Sequence, residues 1–80
     1  MYYTYVLYSK IDQRLYIGFT DNLKQRLKMH IDGRVPATRD RRPLILVYVE
    51  GCLSKFKALG REKYFKTGFG RRYLKSRIGF

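Results

Sequence analysis

The sequence predicts an α+β domain: a small antiparallel sheet of about three strands, flanked by helices, in the order β-β-α-β-α-α. Three observations lead there. Two short tyrosine-rich strands open the chain with only a polar stretch between them. A segment with leucines at helical spacing follows at once. One further run, Leu44 to Glu50, is apolar enough for a third strand before the pattern turns helical again.

Each element has its own reason. Tyr2 to Tyr8 is rich in Tyr, Val and Leu, side chains that suit a pleated, half-buried surface. Ser9 to Arg14 is polar and contains Asp12, so it reads as a hairpin loop, and Leu15 to Phe19 is the returning strand, closed by Gly18. Thr20 or Asp21 can cap a helix by offering an oxygen to free backbone N–H groups. That helix runs to about Ile31 on an apolar stripe of Leu23, Leu27 and Ile31, and Gly33 ends it. Arg34 to Pro43 is a basic loop. Leu44 to Glu50 is continuous enough to lie in the middle of the core. Ser54 caps a second helix that extends to about Lys66; Gly68 and Gly70 break it, and Arg71 to Ile78 forms a short last helix. With no internal repeat, linker or low-complexity segment, residues 1–80 are expected to make one domain.

Composition narrows the function. The chain is 45% hydrophobic and 16% aromatic with two prolines, which is globular rather than disordered. Eighteen Lys and Arg against six Asp and Glu give a formal charge of +12. Self-repulsion at that charge opposes a compact state, so a polyanionic partner is expected, or else a basic surface kept for solubility. Nucleic acid is favoured over a membrane, because no segment is basic and strongly amphipathic at once, and no stretch is long enough to span a bilayer. Cys52 is the one cysteine, flanked by Gly51 and Leu53, and reads as a structural thiol in a reducing compartment. Met1 to Leu7 lacks the features of a signal peptide, and a cytoplasmic location is expected.

A few polar residues stand out from the packing pattern. Tyr5 and Tyr16 fall on adjacent hairpin strands. Arg26 and His30 are separated by roughly 40° on a helical wheel and flank the leucine stripe, whereas Gln25, Lys28 and Asp32 lie opposite it. An arginine so placed can hold a phosphate through two N–H groups. Glu62 falls inside the arc marked by Ala58, Leu59 and Phe65, and a carboxylate drawn toward a core is costly unless it is paired or binds a metal. Each has a plainer reading as well: sheet-packing aromatics for the tyrosines, an arginine lying over apolar surface, a helix-edge histidine, and a glutamate paired to a neighbouring base. A single oxygen ligand suits Mg²⁺, which keeps several waters; there is no Cys/His set for zinc, no glycine-rich phosphate loop and no Ser/His/Asp arrangement.

Six motifs follow one another in register: Tyr-Ile-Gly-x-Thr at Tyr16 to Thr20, Leu-x-x-Arg-Leu-x-x-His at Leu23 to His30, Arg-Arg-Pro at Arg41 to Pro43, Tyr-x-Glu at Tyr48 to Glu50, Ala-Leu-x-Arg-Glu at Ala58 to Glu62, and Gly-x-Gly-Arg-Arg at Gly68 to Arg72. Over nearly the whole chain this resembles the GIY-YIG endonuclease superfamily, in particular its small stand-alone bacterial branch, related to the nuclease domain of excinuclease. The resemblance implies a catalytic cluster of Tyr5, Tyr16, Arg26 and His30, with Glu62 as the single ligand of one Mg²⁺ or Mn²⁺. A tyrosine with an ordinary pKa near 10 is a poor base at neutral pH, and neighbouring cations lower such a value. Tyr16 is the first choice for the base, Tyr5 for positioning water or phosphate, and Arg26 for the charge of the transition state. The opening motif reads Tyr3-Thr4-Tyr5 rather than Gly-Ile-Tyr. Phe19 stands where some relatives carry lysine, which removes one cation beside the base.

Two functions are therefore weighed. The preferred one is a divalent-metal-dependent DNA endonuclease, weakly selective for sequence and open to selection by DNA structure, acting in repair or recombination. The other is a non-catalytic nucleic-acid-binding protein on the same fold. Many relatives append a separate DNA-binding domain; here the residues are spent on the catalytic fold, which leaves mostly phosphate contacts. Lys24, Arg39, Arg41, Arg42, Arg71 and Arg72 are the expected nucleic-acid-binding residues, because they lie outside the apolar stripes.

Overall fold

Tyr2–Ser9 forms β1, the central strand of a three-stranded antiparallel sheet, in a computed structural model that describes residues 1–79. Strand β2 (Leu15–Thr20) lies on one side and β3 (Leu44–Cys52) on the other. The helices are α1 (Leu23–Ile31), a single turn α2 (Pro36–Arg39), α3 (Lys55–Phe65) and α4 (Gly68–Ile78). The α+β class and the order of the main elements are as the sequence predicts.

The centre of the sheet is not the strand that the apolar run indicated. Thr4, Tyr5, Val6 and Leu7 are buried in succession, so β1 is covered on both faces. Strand β3 is instead an edge strand, and Ile45, Leu46 and Val49 are each about two fifths exposed. A run of apolar residues reports affinity for a covered surface, not which strand gains two neighbours. Thr4 and Tyr5 of β1 can be buried because their hydroxyls find partners.

Alternation along β1 sends its side chains to two layers. On one face Thr4 Oγ1 donates to the carbonyl of Ala58 at 2.8 Å, and Val6 packs with Phe65 and Leu74, so α3 and α4 cover this side. Between Val6 and Leu7 the pairing steps from Tyr48 to Leu46. The bulge turns both Val47 and Tyr48 against the core. Glu50 of β3 takes two hydrogen bonds from Arg61, at 2.9 and 2.8 Å, and the Arg61 guanidinium lies over the rings of Tyr64, Phe65 and Tyr73. That clamp joins β3 to α3 and α4.

On the other face of β1, Tyr5 meets α1. The cap of this helix is Asn22, whose side chain accepts from the Gln25 N–H at 3.2 Å, two residues beyond the expected Thr20 and one beyond Asp21. Thr20 still belongs to β2 and takes the Asn22 N–H on its hydroxyl. The helix ends as predicted at Gly33, whose φ of +75° lets its N–H reach His30 O while the Arg34 N–H reaches Met29 O. The expected stripe is only partly inward. Ile31 is 68% exposed, and the buried residue of α1 is His30. Within the loop expected from Arg34 to Pro43, Pro36 starts the one-turn helix α2. Its missing N–H costs nothing at a first helical position.

Candidate active site

Tyr5 stands at the middle of β1 and is closed to solvent. Room for its ring comes from β2: the register sets Gly18 opposite Tyr5, and a side chain on Gly18 would strike the phenol. The ring lies across that glycine and carries its hydroxyl to α1. There Tyr5 Oη is 2.7 Å from His30 Nε2 and accepts from Arg26 Nε at 3.4 Å. Arg26 and His30 are four residues apart on one helical face, so one helix delivers both groups to one oxygen.

Tyr16, two residues before Gly18 on the same face of β2, packs edge-on against His30 with ring centroids 5.3 Å apart; Tyr5 does the same from its side at 5.5 Å. The imidazole is thus held between two phenols and 1% exposed. Its other nitrogen, Nδ1, is 2.7 Å from Thr38 Oγ1 of α2. Tyr16 and Arg26 are half-buried, so they form the accessible side of the cluster, while Tyr5 and His30 are sealed behind them.

Electrostatics follow from that burial. Loss of solvent, with the positive charge of Arg26 adding to it, pushes His30 down to about 4, so the ring is neutral at pH 7. Burial raises the Tyr5 phenol; the hydrogen bond from Arg26 opposes this, and Tyr16 and Glu62 add to it through their charge. Tyr5 is a neutral phenol. Arg26 is held charged, above all by its hydrogen bond to Tyr5.

Glu62 reaches the same neighbourhood from α3. On that helix Ala58 and Phe65 face the sheet, and Arg61 and Glu62 flank them on opposite sides, Arg61 toward Glu50 and Glu62 toward the site that Tyr5 occupies. Arg61 is therefore spent on Glu50. The ion pair of Glu62 is with Lys66 at 3.6 Å, with the lysine side chain 55% exposed and the carboxylate 24%. So loose a pair leaves the carboxylate free to take a cation. Among the described residues no group of three His, Cys, Asp or Glu side chains comes together. A single half-buried carboxylate fits a hard divalent ion that keeps most of its water and takes further oxygens from a phosphate.

The expected nucleic-acid-binding residues are spread over separate surfaces. Arg71 lines a groove of about 870 Å³ with Arg14, Lys75 and Arg41. Arg41 is less free than the others there: its Nε and Nη2 grip Asp12 at 2.6 and 3.2 Å, a pairing that holds the Asp12 carboxyl down at about 2. Arg42 donates to the carbonyls of Arg39 and Ile31, and Arg72 lies over Phe69. Arg39 and Lys24 are exposed on other sides of the molecule. Beside the cluster itself, Arg26 lines a hollow of about 280 Å³ with Tyr2, Phe19, Thr20, Asp21 and Lys55. Thr38, Arg14 and Lys75 were not singled out from the sequence. Pro36 could have marked the turn that carries Thr38; nothing in the spacing marks the threonine itself.

The family model for the GIY-YIG catalytic domain matches residues 1–75. A UPF0213 protein of Lactiplantibacillus plantarum is 48% identical over 68 residues, which cover 81% of this chain and 66% of that protein. One from Clostridium perfringens is 45% identical, over 82% of this chain and 71% of its own length. Another, from Staphylococcus haemolyticus, is 39% identical over 92% of this chain and 90% of its own length. The chain thus spans about two thirds of the first of these relatives and most of the third. No solved structure matches.

Proposed function

The chain belongs to the GIY-YIG catalytic domain family, and on that premise we propose that it is a divalent-metal-dependent DNA endonuclease. It hydrolyses phosphodiester bonds with little sequence preference, is open to selection by DNA structure, and serves repair or recombination in the cytoplasm. The observation that carries this reading is the convergence of Arg26, Tyr5 and Tyr16 on one face of the β1–β2 hairpin, with Glu62 close enough to act on Tyr5 from α3.

Roles divide by accessibility. Tyr16, on the open side, accepts the proton of the attacking water. Arg26 spends its Nε on Tyr5 and keeps its Nη groups for a phosphate oxygen, where its charge is worth most in the transition state. Tyr5 and His30 do not touch substrate; they hold Arg26 and the Tyr16 ring in place. One Mg²⁺ or Mn²⁺ on Glu62 would supply Lewis acidity at the leaving oxygen. The surplus of positive charge supplies DNA affinity, and no helix among the described residues is long and apolar enough to cross a membrane.

The deciding experiment is incubation with nicked, branched and single-stranded DNA, with Mg²⁺ or Mn²⁺ and with chelator. Cutting that the chelator abolishes is expected. Binding without cutting under every metal and substrate would leave a nucleic-acid-binding protein on a nuclease fold.

A further inference from the structure

We infer that Thr38 is a positioning residue that sets the direction of a buried hydrogen-bond chain, from Thr38 to His30 to Tyr5, and thereby aims the Tyr5 hydroxyl at the open side of the site. The use of that aim rests on the nuclease reading; the chain of hydrogen bonds stands on geometry alone.

The three side chains are 0%, 1% and 0% exposed and joined by two contacts of 2.7 Å. A neutral imidazole has one N–H and one acceptor nitrogen. With one proton on each hydroxyl as well, the chain has three protons for two contacts, and one is left over at an end. If Thr38 donates to Nδ1, then Nε2–H donates to Tyr5 Oη and the spare proton is on Tyr5. If Tyr5 donates to Nε2, then Nδ1–H donates to Thr38 Oγ1 and the spare proton is on Thr38.

The two ends are not equivalent. The Thr38 side chain has no hydrogen-bond partner but Nδ1 among the described residues, and no solvent reaches it. A hydroxyl proton stranded there is a buried unmet donor, the defect that folds tolerate least. Tyr5 Oη, although its ring is sealed as well, touches half-buried Arg26, which lines an open hollow, and so it lies at the end of the chain nearer the open side. The spare proton therefore belongs on Tyr5. In that arrangement its oxygen accepts N–H groups from both His30 and Arg26, which leaves its own O–H for the side on which Arg26 and Tyr16 lie. The loop before β3 thus does more than carry positive charge: its one-turn helix holds the threonine that orders the cluster.

Because His30 is the sole histidine, ¹⁵N spectra of the labelled imidazole report the tautomer directly. Wild type at pH 7 is expected to show Nε2 protonated and Nδ1 bare. Thr38→Val keeps the shape and removes the donor, so the tautomer preference should collapse, and Thr38→Ser should restore it. In the cleavage assay Thr38→Val should lower kcat by about 10- to 100-fold with KM unchanged, the range for partners that orient a functional side chain from behind, here Arg26 through Tyr5, and Thr38→Ser should recover most of it. A wild-type imidazole protonated at Nδ1 overturns the inference. So does a Thr38→Val protein with the wild-type spectrum, or one with an altered spectrum and unchanged kcat. Should the valine variant not fold, the wild-type and serine spectra decide. Since the spectra need no catalysis, a chain that fails to cut DNA sinks the nuclease reading and leaves this inference to be judged on its own.

Discussion

The phenol of Tyr5 occupies the space where a side chain on Gly18 would stand. The two residues face one another across the β1–β2 pairing, so the glycine of the Tyr-Ile-Gly segment has a steric reason rather than a conformational one. Gly18→Ala forces the ring off β2 and away from His30 and Arg26. Overpacking of this kind costs about 1–3 kcal/mol. Denaturant titration should show a loss in that range, and the folded fraction should cut more slowly than Tyr5→Phe, which keeps the ring in place. An alanine variant as stable and as active as wild type would mean that the ring has another place to go.

Phenylalanine at the two motif tyrosines separates the proton acceptor from the scaffold, since it keeps the ring and deletes the hydroxyl. Tyr16→Phe should fold, bind DNA almost normally and lose about 10²- to 10⁴-fold in kcat, the usual worth of a positioned acid or base. Tyr5→Phe should lose less, because its oxygen positions Arg26 and meets no substrate. Equal losses, or a larger one at Tyr5, would reverse the assignment.

The difference between those two tyrosines was only half legible in the sequence. Composition and turn signals placed both on hairpin strands, and helical spacing placed Arg26 and His30 together, because those patterns are local. Depth was not local. Tyr5 is sealed and Tyr16 half-open because β1 has two neighbours and β2 one, a fact of strand order that no periodicity carries. The same ignorance put β3 at the centre of the core. It also left Ile31 on the inner face of α1, where the hydrogen bonds of His30 to Tyr5 and Thr38 outweigh a leucine-like stripe. Thr38 could not be found at all, since its role depends on a contact eight residues away through a one-turn helix.

His30 makes stability depend on pH in a window of its own. Its folded value of about 4 lies below the ordinary 6.5, so between the two the unfolded chain binds a proton that the native protein does not. Stability must therefore fall as pH drops from about 6.5 toward 4, by something on the order of 3 kcal/mol. The charge facing the ring is Arg26, with the rings of Tyr5 and Tyr16 packed edge-on beside it. Asp12 and Glu50, whose native values are depressed by Arg41 and Arg61, contribute losses only at lower pH. Thermal melts from pH 7 to 4.5 should show the fall in wild type and a flat response in His30→Gln. A matching slope in both would assign the effect elsewhere.

Glu62→Gln tests the ion. The substitution keeps size and hydrogen bonding and removes the charge a divalent cation needs. DNA binding and melting temperature should hold, because the partner lost is an exposed lysine at 3.6 Å. Metal-dependent cutting should disappear. A variant that melts lower yet still cuts, molecule for folded molecule, would make Glu62 a structural partner.

The cations divide by what already occupies them. Arg71 is exposed on the groove it shares with Arg14 and Lys75, whereas Arg41 on the same groove is locked to Asp12 and also donates to the carbonyl of Arg14. Each phosphate contact contributes about −0.9 to the slope of log affinity against log salt. Arg71→Ala should therefore make that slope shallower by about one, with stability unchanged. Arg41→Ala should leave the slope nearly as it was and lower the melting temperature, because it unties the β1–β2 hairpin from the segment before β3. Titrations at several salt concentrations, set beside melts of the same two variants, distinguish these outcomes. If removing Arg41 flattens the slope and spares the melt, its grip on Asp12 gives way to DNA, and the whole groove acts as one phosphate-binding surface.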